Sequence, residues 1–159
     1  MNEKKNALLL PMIPALLGGV LMAVTVFLPY IVGYDESKSL IQYIDLYQSI
    51  LGDVAGTVFA VLIAVMALFA LLTALFGGLR KPIPVIIFDV LAFGPFVFLR
   101  GDFGARGFPN DSYSLGVGYW LFYVGAALAL GGAIWMIVCK AQAKKAPAPV
   151  EAEAPVQAN

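Results

Sequence analysis

The amino-acid sequence predicts an all-α fold, a bundle of four transmembrane helices with a short interfacial helix at its outer end. Three observations predict it. Four long apolar stretches, Ala7–Gly33, Val54–Leu79, Ile83–Leu99 and Leu115–Cys139, carry one charge among them, Asp89. The first, second and fourth exceed the about 20 residues that cross a bilayer's hydrocarbon core, and the third reaches the lower limit of about 17. Of 159 residues, 61% are hydrophobic and 13% charged, which leaves room for one membrane domain over residues 1–140 and a tail over 141–159. The segment between the first two stretches is amphipathic at helical spacing rather than apolar all round.

Span 1 follows Lys4 and Lys5 and so begins like a secretory signal. Its apolar run is too long for a signal's core and no small-x-small cleavage site follows, so it is expected to stay as a helix. Pro11 and Pro14 suit a first turn, where a missing N–H is harmless, and Pro29 is expected to bend the outer end. In the first outer loop, Leu40, Tyr43, Ile44, Tyr47 and Leu51 recur at helical spacing, and Ser39 with Gln42 reads as a capping box. This predicts an interfacial helix that either lids the bundle or presents a surface to a partner or a lipid.

Span 2 carries a stripe of small residues, Gly56, Ala60, Ala64, Ala67, Ala74 and Gly78. Span 4 carries Gly118, Gly125 and Gly132 at heptad spacing with Ala129 and Ala133 alongside, and span 1 carries Gly18-Gly19. Lipid offers helices no hydrophobic drive to associate, so such stripes are expected to bring backbones together. Either all of them pack within the bundle or one faces outward and joins subunits.

Span 3 holds Asp89 about six residues from its inner end, on the order of 9 Å deep at the helical rise. A carboxylate at that depth is a functional-site candidate. Thr73 of span 2 is its expected polar neighbour, with Gly131 and Gly132 of span 4 leaving room, and the plainer reading is structural, with Asp89 protonated, bonded to Thr73, or held by Arg80 or Lys81 reaching inward. Gly94-Pro95 predicts a kink further out. The second outer loop, 101–114, is rich in Gly, Asp, Asn and Ser and reads as turns, with Arg100 anchoring the end of span 3 and Asn110-Asp111-Ser112 matching a glycosylation sequon. Cys139 closes span 4 as a free thiol or an acylation point. The Ala-, Pro-, Lys- and Glu-rich tail is expected to be disordered.

Basic residues orient the spans. Lys4, Lys5, Arg80, Lys81, Lys140, Lys144 and Lys145 fall on one side, and Lys38, Arg100 and Arg106 fall on the other among six acids. Positive charge stays cytoplasmic, so both termini are expected inside. A net charge of zero argues against a nucleic-acid partner. The spans hold one acid, no histidine and no serine, and the chain has one cysteine, so neither an enzyme, a metal site nor a cofactor is expected.

The Phe27-Leu28-Pro29-Tyr30 exit from span 1, the Leu51-Gly52-Asp53 entry to span 2 and the Gly116-Val117-Gly118-Tyr119-Trp120 opening of span 4 carry a resemblance. With them the chain resembles the small four-span membrane proteins common in bacteria, which implies a tetraspan architecture in the plasma membrane and no defined activity. Its plan is also similar to that of claudin-like tetraspan proteins, although it lacks the tryptophan and the cysteine pair of their first outer loop. The expected role is a non-enzymatic structural or accessory subunit that engages a membrane-protein partner or a second copy through its outer loops or packing stripes. The competing expectation is a small oligomeric transporter or channel that uses Asp89 for a proton or cation.

Overall fold

The computed structural model describes residues 9–145. The chain forms α1 (Leu9–Val24), a 3-10 turn (Thr25–Phe27), β1 (Pro29–Gly33), β2 (Ser37–Ser39), α2 (Leu40–Leu51), α3 (Asp53–Gly78), α4 (Pro82–Ala105), β3 (Tyr113–Leu115) and α5 (Val117–Lys145). The four long helices are each long and apolar enough to cross a membrane, the architecture of an integral membrane protein. Their outward faces are apolar as well: Leu10, Val58, Ile83 and Val97 are all more than half exposed. Such a surface suits lipid as solvent.

Helix α1 packs against α3 and α5, and α4 closes the other side against the same two, so α1 and α4 occupy opposite corners. The turn between α3 and α4 takes only Leu79–Lys81. Arg80 adopts a left-handed conformation there (φ 57°), and the Lys81 N–H returns to the Phe76 carbonyl at 3.0 Å, satisfying an end-of-helix acceptor. This end of the bundle is basic. The opposite end carries a cap built from α2 and a three-stranded antiparallel sheet in the order β2-β1-β3.

The sheet departs from the expected course of the chain. Residues 7–33 do not form one long helix: the helix stops at Val24, and the expected bend at Pro29 is the start of a strand. Pro29 has no N–H to continue a helix, and Tyr30-Ile31-Val32 favours extended backbone. Ile31 pairs with Lys38 on one side and with Leu115 on the other, so the two outer loops share one sheet. The expected turn-built loop at 101–114 begins later, because α4 runs on to Ala105. Gly94-Pro95 does not interrupt that helix. Leu115 belongs to β3, and α5 continues five residues past Lys140 into the segment expected as tail. The rest of the expected tail, 146–159, lies outside the described residues.

Helix α2 forms as expected. The Ser39 hydroxyl accepts from the Gln42 N–H, and the Gln42 side chain accepts from the Ser39 N–H at 2.9 Å, closing a capping box. Gly52 joins α2 to α3 with φ 87°, a left-handed joint that favours glycine.

Candidate functional site

The inward face of α4 is a seam at Pro82, Val85, Asp89, Ala92, Phe96, Leu99 and Phe103, spaced alternately by three and four residues. That spacing keeps one side of a helix turned to its neighbours. Asp89 is therefore a core position, and it is fully buried. Neither carboxyl oxygen has a hydrogen-bond partner among the described residues. The expected bond to Thr73 is not made. Thr73 is also fully buried, but its hydroxyl donates to the Phe69 carbonyl one turn back, at 2.9 Å. A helical threonine reaches that carbonyl without moving, whereas reaching another helix requires the backbones to match. The expected space beside Gly131 and Gly132 is not there either. Gly131 is exposed, and a Cβ on Gly132 would meet the Ala15 N–H nitrogen at 2.5 Å, so α1 fills that side.

Aromatic rings close the bundle between Asp89 and the cap. Phe96 stacks on Phe122 with centroids 4.0 Å apart and on Tyr119 at 5.5 Å. One turn or two further out, Phe103 meets Tyr30 at 5.3 Å and Tyr43 at 5.0 Å. Tyr30 is fully buried, and its hydroxyl has no partner among the described residues.

The small-residue stripes divide between two jobs. Gly118, Gly125 and Gly132 are all buried against α1 and the residues that follow it. Gly18 abuts Gly125 and Ala129 of α5, while its neighbour Gly19 abuts Ala70 and Ala74 of α3, so the adjacent pair lets α1 touch both partners. On α3, Gly56 is buried under Gln48 of α2. Ala60 is half-buried and Ala64 exposed. These two, with Ala67, form the floor of an open apolar groove of about 510 Å³ beside α1, roofed by Ile41 and Ile44 of α2.

In the cap, Leu40, Tyr43 and Tyr47 of α2 are buried, Ile44 is half-buried and Leu51 is exposed. Tyr47 stacks on Phe59 at 4.2 Å and donates to Asp102. Arg106 clamps the same carboxylate through two N–H donors at 2.8 and 3.1 Å and lies over the Tyr47 ring, 4.8 Å from its centroid. Burial, and then the bond to Asp102, push the Tyr47 phenol well above its usual range. This cluster borders a cleft of about 340 Å³ lined by Tyr43, Tyr47, Leu51, Phe103 and Phe108 with Lys38 and Glu36 at its edge. The Lys38 and Glu36 charges are paired at 2.7 Å. Asp102 and Arg106 are not among the site residues expected from the sequence. Their i,i+4 spacing and the continuation of the α4 seam to Phe103 were the signals that could have found them.

Arg100 does not simply reach outward, since its guanidinium donates to the Phe108 carbonyl at 3.2 Å. The Asn110 side chain staples a turn, accepting from the Ser112 and Tyr113 N–H groups at 3.0 Å each. Cys139 is a half-buried free thiol. Among the described residues, no group of three His, Cys, Asp or Glu side chains is placed to hold a metal ion. No family model, curated protein or solved structure matches the chain.

Proposed function

We propose that this chain is a non-enzymatic accessory subunit, set in the plasma membrane with both termini cytoplasmic and seated against a partner's transmembrane helix. The groove between α1 and α3 carries the reading. Its floor of Ala60, Ala64 and Ala67 repeats at steps of four and three residues, in the membrane-spanning part of the chain, and none of the three is fully buried in the bundle. Small residues left at a lipid-facing surface allow another backbone to approach closely, which is how helices associate where water is absent. The cap adds a second contact surface, with Ile50 69% and Leu51 43% exposed beside the aromatic cleft.

Filling the groove tests this. Ala60→Leu/Ala64→Leu should leave the melting temperature of the purified chain within a few degrees, because Ala64 is exposed and Ala60 only half-buried at the open groove, and should abolish co-purification of a stoichiometric partner after gentle solubilisation. A partner that stays bound to the filled variant, or a wild-type chain that purifies alone from its native membrane, would refute the reading.

The alternative, a transporter or channel, is favoured by one observation: a fully buried carboxyl inside a span without a partner among the described residues. The buried Phe96–Phe122 stack argues against it, since the two apolar rings occupy the bundle core between Asp89 and the cap. In liposomes under an imposed gradient, proton or cation flux in wild type that vanishes in Asp89→Asn would establish transport and displace the accessory role.

A further inference from the structure

The basic end of the bundle holds a further crevice, between the start of α4 and the end of α5. It has a volume of about 480 Å³ and is lined by Lys81, Pro82, Ile83, Ile137, Lys140 and Lys144, together with Ala141. Two features set it apart from a scatter of surface lysines. The three lysines come from two separate parts of the chain, Lys81 from the α3–α4 turn and Lys140 and Lys144 from α5, and border one concavity, and its apolar wall, Ile83 and Ile137, continues onto the lipid-facing surface, where they are 65% and 40% exposed.

No acidic side chain among the described residues lines the crevice. Asp35, Glu36, Asp45, Asp53, Asp102 and Asp111 all lie at or near the cap, and Asp89 is sealed inside the bundle. Lys140 is held in place, since its Nζ donates to the Arg80 carbonyl at 2.8 Å, which ties α5 to the α3–α4 turn and leaves further N–H donors on the same ammonium. The backbone contributes little to anion binding here. Pro82 and Pro84 remove two of the first N–H groups of α4, so recognition falls to the lysines rather than to the helix terminus.

We infer that this crevice is a binding site for an anionic phospholipid, with the phosphate among Lys81, Lys140 and Lys144 and an acyl chain along Ile83 and Ile137. Both halves of the site argue for that occupant. Lysines at a membrane surface attract anionic headgroups, and a basic pocket between transmembrane helices concentrates that attraction at one place. The apolar wall below them matches a chain that only a lipid, and not a free anion, brings with its phosphate.

Native mass spectrometry of the detergent-purified full chain tests this, with dioleoylphosphatidylglycerol and dioleoylphosphatidylcholine added in equal amounts. Wild type should retain the anionic lipid at least about tenfold better. Lys81→Gln/Lys144→Gln, which spares the Lys140 tie, should weaken that retention by up to about thirtyfold, at roughly fivefold per lysine. Lys4→Gln/Lys5→Gln removes as much charge from the segment preceding α1 and should leave retention unchanged. Ile83→Ser keeps every charge and should still reduce retention severalfold. Equal retention of the two lipids by wild type would overturn the proposal. So would equal losses in the two lysine pairs, which would mean diffuse attraction, or displacement of the lipid by equimolar glycerol 3-phosphate, which would mean a site for a free anion. Melting temperatures taken in the same detergent identify any variant that has lost its fold, and the Ile83 variant then decides.

Discussion

Tyr30 and Asp89 both bury oxygen atoms without a hydrogen-bond partner among the described residues, and removing them should have different effects. Tyr30 contributes mainly its ring, packed against Phe96, Phe103 and Tyr119. Tyr30→Phe keeps that packing and discards an unmatched hydroxyl, so thermal stability should hold or rise by up to about 1 kcal/mol. A loss of 2 kcal/mol or more in a reversible unfolding assay would mean that the hydroxyl is bonded after all. Asp89→Leu replaces a carboxyl with an apolar group of similar reach in the α4 seam and should stabilise the bundle by about 1–3 kcal/mol, whereas Asp89→Asn leaves a polar group in the same place and should not. If Asp89→Leu is the destabilising variant, the carboxyl has a structural partner. The buried phenols in the cap also set an alkaline limit. Burial raises the ionisation range of Tyr30, Tyr43 and Tyr47 above the ordinary value of 10.0. Their neutral forms therefore stabilise the fold fully below that value, and the contribution is lost as pH rises above it. Melting followed from pH 8 upward should show stability falling beyond about pH 10.

Among the elements, the pairing of α1 with α5 depends on how closely two backbones approach. A Cβ at Gly125 would lie 2.8 Å from both the Gly18 carbonyl oxygen and the Met22 Cγ, and the first of these is backbone that cannot turn aside. Gly125→Leu should therefore push the helices apart and cost about 1–3 kcal/mol or more, read as a lower melting temperature. Leu128 is 40% exposed on the same helix, and Leu128→Ala should change stability far less. Equal effects from the two would show that the glycine row faces lipid. The heptad spacing of Gly118, Gly125 and Gly132 made this contact legible in the sequence, because a row of small residues on one helical face has few other uses in lipid. The stripe on α3 was legible only as a stripe. Its Gly56 end lies under α2 and its Ala64 position opens outward, a split that depends on where α2 comes to rest.

For the whole molecule, the cap and the basic end must lie on opposite sides of a bilayer. Ser37 in β2 and Ser112 before β3 are both exposed in the cap, and Ala143 lies on the last turns of α5 at the other end. With the single Cys139 replaced by serine, cysteines introduced at Ser37 and Ser112 should react with an impermeant thiol reagent added to sealed cells. One at Ala143 should react only after permeabilisation. Outside labelling at Ala143 would reverse the orientation that the basic residues predict.

Hydrophobic length and charge distribution are properties of the chain itself, and they determined the four membrane-length helices, the short helix between the first two with its capping box and the basic character of one end. Each needs only a local run of residues and the energetics of moving them between water and lipid. The sheet that joins the two outer loops required β1 and β3, about 80 positions apart, to meet edge to edge. Nothing in a three-residue strand such as Tyr113–Leu115 specifies such a partner in advance. Depth along the spans likewise suggested that Asp89 and Thr73 would meet, because it locates a residue along the membrane normal and says nothing of its rotation about the helix axis. Packing decided that rotation, turning Asp89 into the α4 seam while Thr73 bonded within its own helix.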